Sequence, residues 1–117
     1  DGNQPIFTCM FELDGQVFGA MNAGPYFKFN EAISMSVNCE DQAEVDYFWE
    51  KLTAEGGEES QCGWLKDRFG ISWQITPKQL EELSNVDDKE QAKRVVHAML
   101  GMSKIVISDL EKAARGE

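Results

Sequence analysis

Apolar and polar residues alternate at the start of the chain. Over residues 6–13, IFTCMFEL, Phe7, Cys9, Phe11 and Leu13 fall on one side, with Thr8, Met10 and Glu12 on the other. That two-residue period predicts a strand. Asp14-Gly15 follows, a pair suited to a tight turn whose central residues need positive φ. The return strand covers 16–22, QVFGAMN. In this register Phe11 faces Phe18, Cys9 faces Ala20, and the small Gly19 faces Met10, marking a close approach.

An aromatic-rich loop follows at 23–31, AGPYFKFNE, its turn opened by Gly24-Pro25. Residues 32–38, AISMSVN, predict a strand. The period then changes to that of a helix over 41–55, with Val45, Phe48, Trp49 and Leu52 in one stripe and Asp41 and Glu44 as a capping box. Gly56-Gly57 ends it. A strand over 59–65, a turn through Lys66 to Gly70, and a strand over 71–76 come next.

From Thr76 the pattern is helical to the end of the chain. Thr76, Pro77 and Gln79 fit a cap, a first-turn proline and a capping box, and Asp87 with Glu90 repeats the box. Ala92, Val95, Val96 and Met99 form a stripe stopped by Gly101. Ser108 and Glu111 start a last short helix anchored by Leu110. The tail stripe covers either this chain's own sheet or a partner chain.

The densest stretch is CGWLKDRFGISWQITP, residues 62–77. Period two puts Ile71, Trp73 and Ile75 on a core face and Ser72, Gln74 and Thr76 on the other. If that second face is concave, Gln74 points into a pocket, where its amide needs partners. If it is flat, Gln74 is simply exposed.

Composition narrows the function classes. A chain of 117 residues with 42% apolar residues suffices for one domain. A formal charge of −10 argues against nucleic acid and against anionic membrane surfaces, which select basic patches. No apolar run approaches a membrane span. Cys9, Cys39 and Cys62 are odd in number and lack a C-x-x-C spacing, so small buried thiols in a reducing, cytoplasmic setting are expected. His97 is the only histidine and sits off the helical stripe, so neither a histidine metal cluster nor a Ser/His/Asp triad is indicated. No G-x-G-x-x-G, Walker or G-x-S-x-G pattern occurs.

CGWLKDRFGISWQITP, preceded by AISMSVNCEDQAEVDYFWEKL, resembles the PhnB-like family of the vicinal oxygen chelate superfamily. That superfamily contains glyoxalase I, fosfomycin and bleomycin resistance proteins and extradiol dioxygenases. The loop NAGPYFKFNEAIS and the tail RVVHAMLGMSKIVISDLEKA are similar too, so nearly all of the chain is covered. Members of this branch often carry a demethylubiquinone methyltransferase label. The resemblance implies an α+β fold: a curved mixed sheet of βαβββ modules with C-terminal helices, enclosing a cavity and completed in a homodimer, often with exchanged elements. The single domain, 1–117, then comprises a hairpin at 5–22, a βαββ unit at 32–76 and a helical tail at 77–115. A β-α-β segment usually precedes the hairpin in this family. Its absence before Pro5 points either to a piece of a longer chain or to a sheet completed by partner chains.

In the metal-dependent relatives the closing strand follows a D-x-x-G-N-x-x-E pattern whose glutamate binds metal. Asp67 and Gly70 match it, Ile71 replaces the asparagine, and Gln74 takes the glutamate position. The histidine position of the second module falls near Ala32. A neutral amide and an alanine make a poor divalent site, so no metal and no other cofactor is expected. The leading expectation is a small-molecule-binding protein whose cavity is lined by Gln74, Ser72 and Ser34, with aromatic walls from Phe27, Phe29 and Trp64. A metal-assisted isomerase, lyase or group transferase is the second, with no catalytic residue named. A structural dimer or interaction module is the third.

Overall fold

The computed structural model describes residues 7–117; the expected hairpin start at Pro5 and Ile6 lies outside them. Strand β1, Thr8–Leu13, pairs antiparallel with β2, Gln16–Met21, across a turn in which Asp14 and Gly15 take φ of 49° and 81°. Cys9 lies opposite Ala20, Met10 opposite Gly19, and Phe11 opposite Phe18, as the alternation predicts. The two phenylalanine rings stack with centroids 5.7 Å apart. A Cβ on Gly19 would come within 3.2 Å of the Met10 sulfur, so the missing side chain makes room for a thioether.

A second sheet has the order β3-β6-β5-β4. Its strands are β3, Ser34–Cys39; β4, Glu58–Glu59; β5, Trp64–Lys66; and β6, Ser72–Pro77. β3 and β6 run parallel, and the other two pairs are antiparallel. A parallel pair needs a crossover, and helix α1, Gln42–Thr53, lies within it. Cys39, Val45, Trp49, Leu65 and Ile75 form the buried centre where α1 meets the sheet, with Val37, Phe48, Leu52 and Trp73 packed around them. Asp41 caps α1 by accepting from the Glu44 amide, while Glu44 accepts from the Glu40 amide. Gly57 follows the helix so closely that a Cβ would stand 2.6 Å from the Thr53 Cα.

The strand expected over 59–65 is two short strands. Ser60 donates to the Trp64 carbonyl at 2.9 Å, and Cys62 and Gly63 adopt φ of 58° and 83°. This turn serves the tail. The Cys62 and Gly63 amides donate to the carbonyls of Met102 and Ser103 at 2.7 and 2.8 Å. Those long-range bonds outweigh the local strand tendency of the stretch.

The tail is α2, Lys78–Ser84; α3, Lys89–Leu100; and α4, Ile107–Ala114. Its caps differ from expectation. Thr76 stays in β6, and Pro77 precedes α2 with no side-chain cap. Asp88 rather than Asp87 caps α3, accepting from the Glu90 and Gln91 amides. Val106, not Ser108, stands before α4. Val95, Ile105 and Leu110 are buried together, with Leu80, Leu83, Met99 and Met102 around them. The tail stripe therefore closes a small core of its own, while Val96 stays 40% exposed. Gln42 joins this core to the sheet layer: its side chain donates to the Ile105 carbonyl at 3.0 Å and accepts from the Ile107 amide at 2.8 Å.

The molecule measures 62 × 26 × 24 Å, with a radius of gyration of 17.5 Å. A compact chain of this size has a radius near 13 Å. The excess comes from the β1–β2 hairpin, which packs chiefly on itself and stands out as an arm. Phe7, Met10, Val17 and Met21 on it are each more than 60% exposed. Cys9 is exposed there as well, so only Cys39 of the three thiols is fully buried. No helix among the described residues is long and apolar enough to cross a membrane.

Candidate functional site

The four-stranded sheet has one face against α1 and another turned away from it. Pairing fixes which residues share the second face. In β6 these are Ser72, Gln74 and Thr76, because Trp73 and Ile75 pack under α1. Across the parallel pair, Ser34 stands beside Ser72 and Ser36 beside Gln74. Across the antiparallel pair, Lys66 stands beside Ser72 and Trp64 beside Gln74. The result is a lattice of two rows, in which neighbours within a row stand at the usual strand separation of about 4.8 Å. One row reads Ser34, Ser72, Lys66; the other reads Ser36, Gln74, Trp64.

Polar contacts tie the rows together. The Gln74 amide nitrogen donates to the Ser34 hydroxyl at 2.8 Å. Ser72 is 1% exposed, and among the described residues its hydroxyl has no hydrogen-bond partner. Leaving such a hydroxyl buried and unpaired costs about 1–3 kcal/mol. Lys66 forms an ion pair with Glu31, at the end of the aromatic loop. The hydrogen bond from Lys66, followed by its charge, holds the Glu31 carboxyl below its ordinary range. The same bond and charge raise Lys66, with a further contribution from Glu58, its neighbour on β4.

Ser34, Ser72, Gln74 and Trp64 thus share one face. Phe27 and Phe29 belong to the loop before β3 and are 92% and 64% exposed. Phe29 backs onto Gly70, where a Cβ would sit 3.7 Å from its own. Composition and spacing left Lys66 and Glu31 unmarked. The signal that would have found Lys66 is the alternation of Trp64, Leu65 and Lys66, which puts the two outer residues on the Gln74 side.

Asp67 follows β5, reaches the Trp73 indole on the α1 side of the sheet, and has a separate task. One carboxylate oxygen accepts from the Phe69 and Ile71 amides at 2.9 and 3.0 Å, and the other accepts from the Trp73 indole at 2.9 Å. It shapes the β5–β6 turn. Among the described residues no group of three or more His, Cys, Asp and Glu side chains converges as metal ligands do. Gln74 donates its amide nitrogen to Ser34, and its amide oxygen beside serine hydroxyls offers none of the charged carboxylate donors on which a divalent site is chiefly built. Two surface grooves among the described residues lie elsewhere. One of about 460 Å³ is bordered by Lys51, Leu52, Glu55, Arg68 and Phe69, and one of about 320 Å³ runs along α3 beside Val96, His97 and Leu100.

A mixed sheet backed by a helix on one side, with a polar lattice on the other and helices in the tail, defines an α+β protein. The family model described as 3-demethylubiquinone-9 3-methyltransferase matches residues 2–76, more than half of the chain. The chain belongs to that family. Among solved structures it is similar to a Bacillus cereus protein described as a PhnB protein, at 32% identity and a TM-score of 0.55. That match covers 60% of this chain and 63% of the other, so the chain spans less than two thirds of this relative's length. A Pseudomonas aeruginosa protein shares the fold at 24% identity and a TM-score of 0.52, covering 65% of this chain and 71% of that one. No curated protein matches.

Proposed function

We propose that the chain is a PhnB-like small-molecule-binding protein of the vicinal oxygen chelate type, working without the metal of that superfamily's enzymes. The observation that carries this is the Ser72 hydroxyl, buried and unpartnered beside the Gln74–Ser34 hydrogen bond. A buried hydroxyl takes a partner wherever one can reach it, and a ligand on this face supplies one. Ser34, Ser72 and Gln74 anchor the polar end of the ligand, and Trp64 offers a flat wall. Phe27 and Phe29, exposed in the single chain, wall the cavity once a second copy closes it. Hydroxyls and an amide bind and orient; we assign them no reaction. A cytoplasmic setting is part of the same proposal, supported by the three free thiols.

A thermal-shift screen of a metabolite library on wild-type protein and on Gln74→Leu tests the site. Ligands that raise the wild-type midpoint should lose about tenfold in affinity with the variant, the worth of one or two hydrogen bonds. The unliganded variant should melt within a few degrees of wild type. A ligand that binds both proteins equally removes Gln74 from the site.

Homodimer formation belongs to the same proposal. The apolar arm supports it, since an exposed hairpin with free edges invites pairing.

A further inference from the structure

The Ser34–Ser72–Lys66 row ends in a cation, and the anion on it comes from the chain itself. Glu31 belongs to the loop preceding β3, and its side chain is 59% exposed. Lys66 also has Glu58 opposite it on β4, whose charge acts on the ammonium without an ion-pair contact. Beside Lys66 stands the unpartnered Ser72 hydroxyl, and beyond it Ser34, whose oxygen already accepts from Gln74 and whose proton is left to donate. Two hydroxyl protons and an ammonium along one line suit a carboxylate, which accepts several charge-assisted hydrogen bonds at once. The neighbouring row places the Trp64 indole at the same end, where a planar ring can lie against it.

Resting on the proposed ligand face, we propose that its ligand is an aromatic carboxylate whose carboxyl group takes the place of Glu31 on Lys66 and receives the Ser72 hydroxyl. Glu31 is then a built-in stand-in for the ligand. It keeps the ammonium paired in the empty protein and swings away with its exposed loop. The Ser72 hydroxyl gains in the bound state the partner it lacks in the free one.

Benzoate and benzamide, alike in shape and different in charge, distinguish this class. Each is titrated into the full chain with the amide NMR signals of Ser72, Gln74 and Lys66 as readout. Benzoate should shift these signals and bind at least about tenfold tighter than benzamide, as expected for a charge-assisted pair. Glu31→Gln should tighten benzoate roughly tenfold by removing the internal competitor, leaving benzamide unchanged. Lys66→Met should bring the two probes level, and the exposed Glu31→Gln position keeps the test usable if Lys66→Met does not fold. Equal binding of both probes in every protein overturns the carboxylate assignment and leaves the ligand face standing. Silence from both probes also overturns the assignment. The Gln74→Leu screen then decides the face: a Gln74-dependent ligand keeps it, and none removes it too.

Discussion

Asp67 shows how one side chain can set a turn. It holds two amides and an indole, and each bond to a carboxylate contributes more than a neutral one. Asp67→Ala should cost about 3 kcal/mol in urea unfolding and move the Trp73 fluorescence. Retention of full stability would mean that water takes over all three bonds. Cys39 carries a different signature. Burial, followed by the nearby Glu44 and Asp41 carboxylates, pushes its thiol from 9.0 up to about 11. The folded chain therefore keeps a proton that the unfolded chain releases above pH 9. Stability should fall with rising pH between about 9 and 11. Cys39→Ala should flatten that part of the curve relative to wild type, and parallel curves would deny the shift. At this scale the sequence marked Gln74, because a strand residue between two core residues stands out in a period of two. It did not mark the Lys66–Glu31 pair, because their 35-residue separation leaves no local trace.

Elements follow local pattern where packing agrees with it, and depart where a distant partner intervenes. The hairpin register was legible because Asp14-Gly15 and two alternating strands fix it together. The α1 stripe was legible because Val45, Phe48, Trp49 and Leu52 all meet the sheet. The split at residues 60–63 was not, because the bonds from Cys62 and Gly63 reach into the tail. Caps slipped by one residue, since Asp87 and Asp88 present the same chemistry and only backbone geometry chooses between them. Gln42 is the corresponding device between elements, joining α1 to the segment before α4. Gln42→Ala should cost about 1–2 kcal/mol and speed amide exchange over 105–110 while leaving β6 protected. Uniform acceleration across both regions would instead mean that tail and sheet open as one unit.

For the whole molecule, the arm is the feature that packing among the described residues does not account for. Its exposed phenylalanines and methionines resemble an interior with its cover removed. Sedimentation equilibrium should find a dimer at micromolar concentration, and Phe11→Ser with Phe18→Ser should shift it to monomer without loss of the α1–sheet core. A wild-type monomer at that concentration would reject the dimer. The order of hairpin, strand and helix, and helical tail was readable from changes of period, while the expected βαββ unit has one strand more. The tail's independent core was not, because a helical stripe shows that it is buried and leaves open what buries it.

The parallel pairing of β3 with β6 also governs time. Gln74 and Ser34 meet across 40 positions of chain, with a helix and a hairpin between them. Contacts between such distant segments must close a long loop and so tend to form late in folding. The proposed ligand face is then absent until the sheet is nearly finished. A ligand spanning β3 and β6 leaves the rate of folding almost unchanged and slows unfolding instead. For the proposed ligand, occupancy sets how long each molecule lasts once made, not how quickly it is made.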